Sequence, residues 1–281
     1  MKVLVTGSNG LIGKHMVRSL KESGYRVRTF DITAGGDIRN SDAVRKAVKG
    51  VDAVMHLAVL GGAMHWFKRA AEVAEVHING TIRLLEACRS YDVKRFICGS
   101  SFMIYGQPED LPVKERCTPK PHTPLGLAKL VGEQYVNLYG ETYGISTTCM
   151  RYFNVYGIGQ QVGLVADCLT AIRKNRPLFV LGDGKQTRDF VNVTDVVQAN
   201  LLALRTKVNG TFNVGSGKET SVGQVVKIFQ EMTCIKSVQH RPERLGEIRR
   251  IYADISKARR ILGYRPKVPL RDGLAEILNA I

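Results

Sequence analysis

No apolar run in the chain reaches the roughly 18 residues that a membrane-spanning helix needs. No apolar leader with a small-residue cleavage site opens it either. Met1–Thr6 already reads as a buried strand, which predicts a cytoplasmic protein. The six cysteines (Cys88, Cys98, Cys117, Cys149, Cys168 and Cys234) are far apart and form no CxxC pair. That spacing excludes a zinc-finger type of metal site and a disulfide framework, and predicts reduced, mostly structural thiols. Repeats, low-complexity segments and long linkers are also missing. Acidic residues are scarce: 25 Asp+Glu against 41 Lys+Arg leave a formal charge of +16. Such an excess suits either a field for polyanions, nucleic acid included, or a solvated surface around a phosphate-bearing small ligand. The basic residues crowd late, at Arg241, Arg244, Arg249, Arg250, Lys257, Arg259 and Arg260, without aromatic residues to stack bases. This weighs against a nucleic-acid partner.

What is present is the material of a soluble globular chain. Of 281 residues, 44% are hydrophobic and 23% charged. Short apolar runs at Lys2–Val5, Arg26–Phe30, Ala53–Leu57, Arg95–Cys98 and Ser146–Met150 read as buried strands. Amphipathic stretches such as Leu11–Ser23, Asp42–Val48 and Ile82–Arg89 lie between them. Strands alternating with helices predict an α/β fold, a doubly wound parallel sheet covered on both faces. Residues 1–150 are expected to form it, with segments returning from the second half. Residues 151–281 are expected to add a smaller α/β lobe, with strands at Leu178–Leu181, Phe190–Val193 and Thr211–Val214 and helices at Val222–Met232 and Leu270–Leu278.

After the first strand comes Thr6-Gly7-Ser8-Asn9-Gly10-Leu11-Ile12-Gly13, a GxxGxxG spacing opening an amphipathic helix. One glycine makes the tight turn, one lets the backbone approach a pyrophosphate, and one lets helix pack on strand. The helix start offers N–H groups and a positive dipole end to the phosphates. The second strand ends in Asp31, where a carboxylate would accept the ribose hydroxyls of NAD and repel the 2′-phosphate of NADP. NAD is therefore the expected cofactor. Gly36-Asp37-Ile38 suits a loop beside the adenine, though it also reads as a plain turn.

Further motifs run the length of the chain: His56-Leu57-Ala58, Gly80-Thr81 before Leu84-Leu85-Glu86-Ala87, and Ser100-Ser101-Phe102-Met103-Ile104-Tyr105-Gly106. Then come Arg151-Tyr152-Phe153-Asn154-Val155-Tyr156-Gly157, Gly182-Asp183-Gly184, Arg188-Asp189-Phe190, Val193-Thr194-Asp195-Val196 and Ala253-Asp254-Ile255-Ser256-Lys257-Ala258. In this order and spacing the chain resembles the extended short-chain dehydrogenases that act on nucleotide sugars, typified by UDP-glucose 4-epimerase. The resemblance implies a cofactor site completed by Leu57, Ala58, Val59, Lys129 and Tyr152. It implies a Ser101 hydroxyl on the sugar, and Asn154, Arg188 and Arg244 on the substrate diphosphate. Phe102 and Met103 stand where dehydratases of the family carry acidic residues, which favours epimerisation. A UDP-linked sugar as substrate and a homodimer through the helices around Ile82–Ser90 and Leu127–Tyr139 are implied as well.

One family residue is replaced. The acid/base tyrosine of a YxxxK motif aligns with Leu125, while its lysine is present as Lys129. Spacing of four puts both on one helical face. In the family the lysine lowers the phenol pKa for proton exchange, whereas leucine carries no proton. Three readings stay open at this point. Another group exchanges the proton, with His122 in the Pro119–Pro124 stretch the nearest candidate and Cys117 and Tyr105 weaker ones. The chain binds NAD and a sugar nucleotide without turnover. Or the tyrosine was replaced deliberately to trap a complex. A second departure is His77, where the family has an Asn that supports the cofactor site.

Overall fold

The computed structural model describes residues 1–60, 66–235, 237–243 and 246–280. Its strands are β1 (Lys2–Thr6), β2 (Arg26–Phe30), β3 (Ala53–His56), β4 (Arg95–Ser101), β5 (Ser146–Tyr152), β6 (Asn154–Tyr156), β7 (Leu178–Leu181), β8 (Thr187–Arg188), β9 (Phe190–Asn192), β10 (Gly210–Val214), β11 (Thr220–Ser221) and β12 (Val238–Arg241). Its α-helices are α1 (Leu11–Glu22), α2 (Ser41–Val48), α3 (Ala70–Ala74), α4 (Gly80–Ser90), α5 (Pro124–Tyr143), α6 (Leu164–Arg173), α7 (Val193–Thr206), α8 (Val222–Met232), α9 (Ser256–Leu262) and α10 (Leu270–Asn279).

Six strands form a parallel sheet in the order β10-β5-β4-β3-β1-β2. Strands β3, β4 and β5 are buried along nearly their whole length, as a sheet covered on both faces demands. Edge strand β2 is only half buried, with Arg26 and Thr29 outward. The expected α/β class and the parallel sheet are both present. The expected boundary at residue 150, however, falls inside β5, and β10 returns from the second half to pair with that strand.

Three large hydrophobic cores form among the described residues. One holds Val3, Met55, Ile97 and Met150 together with Val191, Val196, Phe212 and Tyr264 from late in the chain. A second joins Leu4, Val44, Val54, Leu84, Phe96 and Val136. A third, smaller core joins Tyr156, Val165, Leu178, Phe190, Val225, Phe229 and Leu274. Asp189 connects the first and the third. Its buried carboxylate accepts from the backbone N–H groups of Ser216, Gly217 and Ala253 and from the Ser216 hydroxyl, at 2.6–3.1 Å. Helices α6 and α7 go beyond the sequence expectation. Helix α7 buries Val193, Val196, Val197, Asn200, Ala203 and Leu204 along one broad face, with Thr194 and Arg205 exposed.

Helix α5 carries the two residues of the incomplete family motif, and its start is well defined. The Thr123 hydroxyl oxygen accepts from the Gly126 N–H at 3.0 Å, and Pro124 takes the first helical position. The helix ends at Gly144 with φ +69°, a left-handed cap that glycine adopts without strain.

Candidate active site

The β1–α1 turn is built by close approach. Gly7 has φ +67°, and a Cβ there would lie 2.7 Å from the Ala58 backbone beyond β3. A Cβ on Gly13 would lie 2.0 Å from the Gly7 carbonyl oxygen, so the helix can rest on the turn only as glycine. Gly10 caps α1 without any side chain bonding the first turn. Leu11 and Ile12 therefore present main-chain N–H groups at an uncapped positive end. These features fit a pyrophosphate lying across the turn.

Asp31 follows β2 directly, beside this turn. Its carboxylate accepts from the Asn9 N–H at 2.9 Å, the Thr33 N–H at 3.0 Å and the Thr33 hydroxyl at 2.8 Å. Burial opposes its charge, yet these bonds and nearby Lys14 hold the carboxyl below the usual carboxylate range. The anion is thus fixed in place. Asp37 faces inward to Arg39, which donates from its backbone N, Nε and Nη2. Ile38 is buried, and its tip would meet a Cβ on Gly80 at 2.7 Å.

A directed hydrogen-bond chain ties the turn to α4. The Thr81 hydroxyl donates to the His77 carbonyl at 2.7 Å, and the His56 ring lies between Thr81 (3.1 Å) and Thr6 (2.8 Å). The Ala58 N–H donates to the Thr6 hydroxyl oxygen at 3.3 Å. With both Thr hydroxyl protons directed, His56 Nε2 donates and Nδ1 accepts, which needs the neutral ring. Burial, reinforced by the Lys129 charge, pushes its pKa down to about 3. His77 is buried too and its pKa also lies far down, for the same two reasons. Its Nε2 accepts from the Leu60 N–H at 3.3 Å.

Beyond β4 and β5 lies a cavity of about 410 Å³. Ser101, Met103, Leu125, Asn154 and Arg188 all line it, as do Trp66, Gln160, Gln186 and Glu247. The Ser101 hydroxyl oxygen accepts from the Met103 N–H at 3.2 Å, leaving its proton to point elsewhere. Side-chain oxygens of Asn154, Gln160 and Gln186 are buried and meet no donor among the described residues. A hydroxyl-rich ligand would satisfy them. Arg188 is held from within: its guanidinium donates to the Ile248 carbonyl at 2.5 Å and to the Glu247 carboxylate.

Lys129 and Leu125 diverge in their surroundings. Lys129 Nζ donates to the Gly99 carbonyl at 2.5 Å, and burial pushes its ammonium below the usual lysine range. Leu125 packs in a small apolar cluster with Val73 and Ala128, flanked by Leu60, Trp66, Ile78 and Met103. Within that cluster the indole N–H of Trp66 donates to the Leu60 carbonyl at 3.4 Å.

Ser101, Leu125, Asn154 and Arg188 line one cavity. Leu57 is buried, Ala58 partly so, and Val59 is exposed. Tyr152 is buried with its hydroxyl donating to Asn200 at 2.8 Å, and so serves as a wall. His122 is exposed near Gly106 and is not among the residues lining the cavity. Arg244 lies outside the described residues. Glu247 was not expected at the site; it follows Gly246 directly in sequence, three positions past Arg244, which was the available signal.

With a glycine cradle and an opposing polar cavity on one sheet, comparison with known proteins is decisive. A model of the NAD dependent epimerase/dehydratase family matches residues 3–215. The chain belongs to that family. A Methanocaldococcus jannaschii protein, provisionally named a UDP-glucose 4-epimerase, is 38% identical over 99% of this chain and 97% of its own. The crystal structure of UDP-glucose 4-epimerase with UDP-glucose from Thermotoga maritima superposes with a TM-score of 0.95 at 33% identity, covering 99% and 98% of the two chains. That of the Thermus thermophilus UDP-glucose 4-epimerase in complex with NAD gives 0.94 at 31%, over 99% and 98%. The sheet is thus a Rossmann fold of the NAD-dependent epimerase type.

Proposed function

We infer that this epimerase-family member works on a nucleotide sugar, UDP-linked, through an atypical acid/base site. The carrying observation is that Ser101, Asn154 and Leu125 line one cavity at the carboxyl ends of β4 and β5. NAD supplies reversible two-electron oxidation of a sugar hydroxyl to a ketone when bound. Gly7, Asn9, Gly10, Leu11, Ile12 and Gly13 would take its pyrophosphate, Asp31 its ribose, and Asp37 and Ile38 would flank the adenine. Leu57, Ala58, Val59, Lys129 and Tyr152 would bound the remaining half. Ser101, whose proton is directed away from Met103, would donate to the sugar oxygen. Asn154, Arg188 and Arg244 would meet the diphosphate, with Glu247 fixing the Arg188 fork. The sugar proton finds no acceptor at Leu125. The apolar cluster around that residue also favours a second reading, a binder of NAD and nucleotide sugar without turnover.

The deciding experiment assays a panel of UDP-linked sugars with NAD for the native chain and for Leu125→Tyr. The expected gain in the variant is about 10²–10⁴ in rate, the usual worth of a positioned general base. Equal, robust activity in both would overturn Leu125 as the lesion and show that another group carries the proton. NAD binding with no turnover in either would establish the second reading.

Assembly belongs to the same reading. Leu127, Val131, Gln134 and Leu138 recur along one face of α5, and Leu127 and Leu138 are 54% and 52% exposed. A second copy of the chain would cover that stripe in a homodimer.

A further inference from the structure

The function proposed above does not account for the surplus of positive charge. Part of it collects at a second cavity, about 420 Å³, that shares no lining residue with the first. Its wall carries four cations on two segments: Lys114 and Arg116 on one, Lys257 and Arg260 on the other. The segments are stitched together. Val113 bridges Ala253, its N–H donates to the Tyr252 carbonyl, and its carbonyl accepts from the Asp254 N–H, both at 2.9 Å. Asn213 of β10 clamps the same pair, donating to the carbonyls of Val113 and Asp254 at 2.9 and 3.3 Å. The placement of the two backbone segments relative to each other is therefore fixed by these bonds.

Two carboxylates share the wall with these cations, and against burial Lys114 helps to hold the Asp254 carboxyl below the usual carboxylate range, after its bonds to Ser256. Glu115 Oε1 accepts from the Asn213 N–H at 2.9 Å, and Asp254 Oδ1 accepts from the Ser256 N–H at 2.8 Å. Lys257 is tethered to the Thr211 carbonyl at 2.8 Å, over the Phe212 ring. Among the described residues, no carboxylate forms an ion pair with Lys114, Arg116 or Arg260. Four cations against two carboxylates leave the wall a net positive charge, which a bound anion offsets. Two guanidinium forks favour planar, bidentate contact with phosphoryl oxygens.

We propose that this second cavity is a binding site for a small polyphosphate anion, one with two or three linked phosphoryl groups. Charge spread over several phosphoryl groups matches four cations on two segments better than a single phosphate does.

The test titrates the full chain with inorganic tripolyphosphate by calorimetry, using the native protein and an Arg116→Ser/Arg260→Ser double variant. Both residues are exposed, so thermal stability checks that the fold persists. Lys46→Ser/Lys49→Ser, equally exposed on α2 and just after it, serves as the charge control. A loss of tenfold or more confined to the first variant is expected, since each charged hydrogen-bond set carries roughly that much. Equal loss in the control would mean a diffuse surface field, and an unchanged affinity in both would place the anion in the first cavity. Either overturns the proposal, as does no binding at all. A nucleoside triphosphate run alongside is expected to compete with tripolyphosphate, because the phosphoryl chain is the shared element. A single-stranded oligonucleotide binding far more tightly than either, and insensitive to the Arg116/Arg260 change, would overturn it in favour of nucleic acid.

Discussion

Arg151 lies directly against Glu133 in the interior, its Nε and Nη2 donating to the two carboxylate oxygens at 2.7–3.2 Å. The pair joins β5 to α5, and Arg151 Nη1 reaches on to the Tyr105 hydroxyl at 2.8 Å. Removing Glu133 would leave a buried guanidinium uncompensated, which costs about 3–5 kcal/mol. Glu133→Ala is expected to lower the urea midpoint accordingly. A loss under about 1 kcal/mol would show that solvent or another acceptor replaces the carboxylate.

The glycine turn gives a sharper test, because a single methyl group suffices. Gly13→Ala would force its Cβ against the Gly7 carbonyl, 2.0 Å away with only backbone to yield. Overpacking of this kind costs about 1–3 kcal/mol. It also moves the turn off the phosphate, so NAD affinity measured by calorimetry should fall more than tenfold. Near-native affinity would mean that α1 slides without disturbing the cradle.

Acid should weaken the protein through its buried histidines. The folded ring of His56 titrates near 3 against an ordinary value of 6.5. Between those values the unfolded chain holds a proton that the folded chain refuses. Stability is therefore complete above about 6.5 and falls as pH drops toward 3, by about 1.4 kcal/mol per unit for this one ring. Urea unfolding from pH 7 to 4 measures the slope. His56→Asn should flatten it by one proton, and an unchanged slope would assign the effect to other groups, His77 first.

The stripe on α5 predicts an assembly. Leu127→Glu with Leu138→Glu should turn a dimer into a monomer in sedimentation velocity, with little change in thermal stability of the single chain. A native chain that sediments as a monomer at micromolar concentration would remove the homodimer.

Much of the cofactor half could be read from sequence because its signals are local. The Gly7–Gly13 spacing, the strand leading into Asp31 and the apolar runs of β1 to β5 each depend on neighbours in the chain. The cavity was harder, because its residues are set by distant partners. Nothing near Arg188 in sequence announces that Glu247, 59 positions later, occupies its guanidinium. The proximity of His122 to Leu125 along the chain suggested a substitute acid that the fold leaves exposed. Helix α7 escaped notice although Val193, Val196, Val197, Asn200 and Leu204 recur at helical spacing, because the strand-like run that begins at Phe190 continues into Val193, its first residue.

The return of β10 to the sheet has a consequence for how this molecule can be cut. A fragment ending near residue 150 would leave β5 as an open edge, its row of unpaired N–H and C=O groups ready to template aggregation. It would also strip Met150 and Ile97 of their packing against Phe212 and Val196. The segments before and after residue 150 therefore share one sheet and one core. A nick between them would yield two interlocked pieces that stay together or fail together.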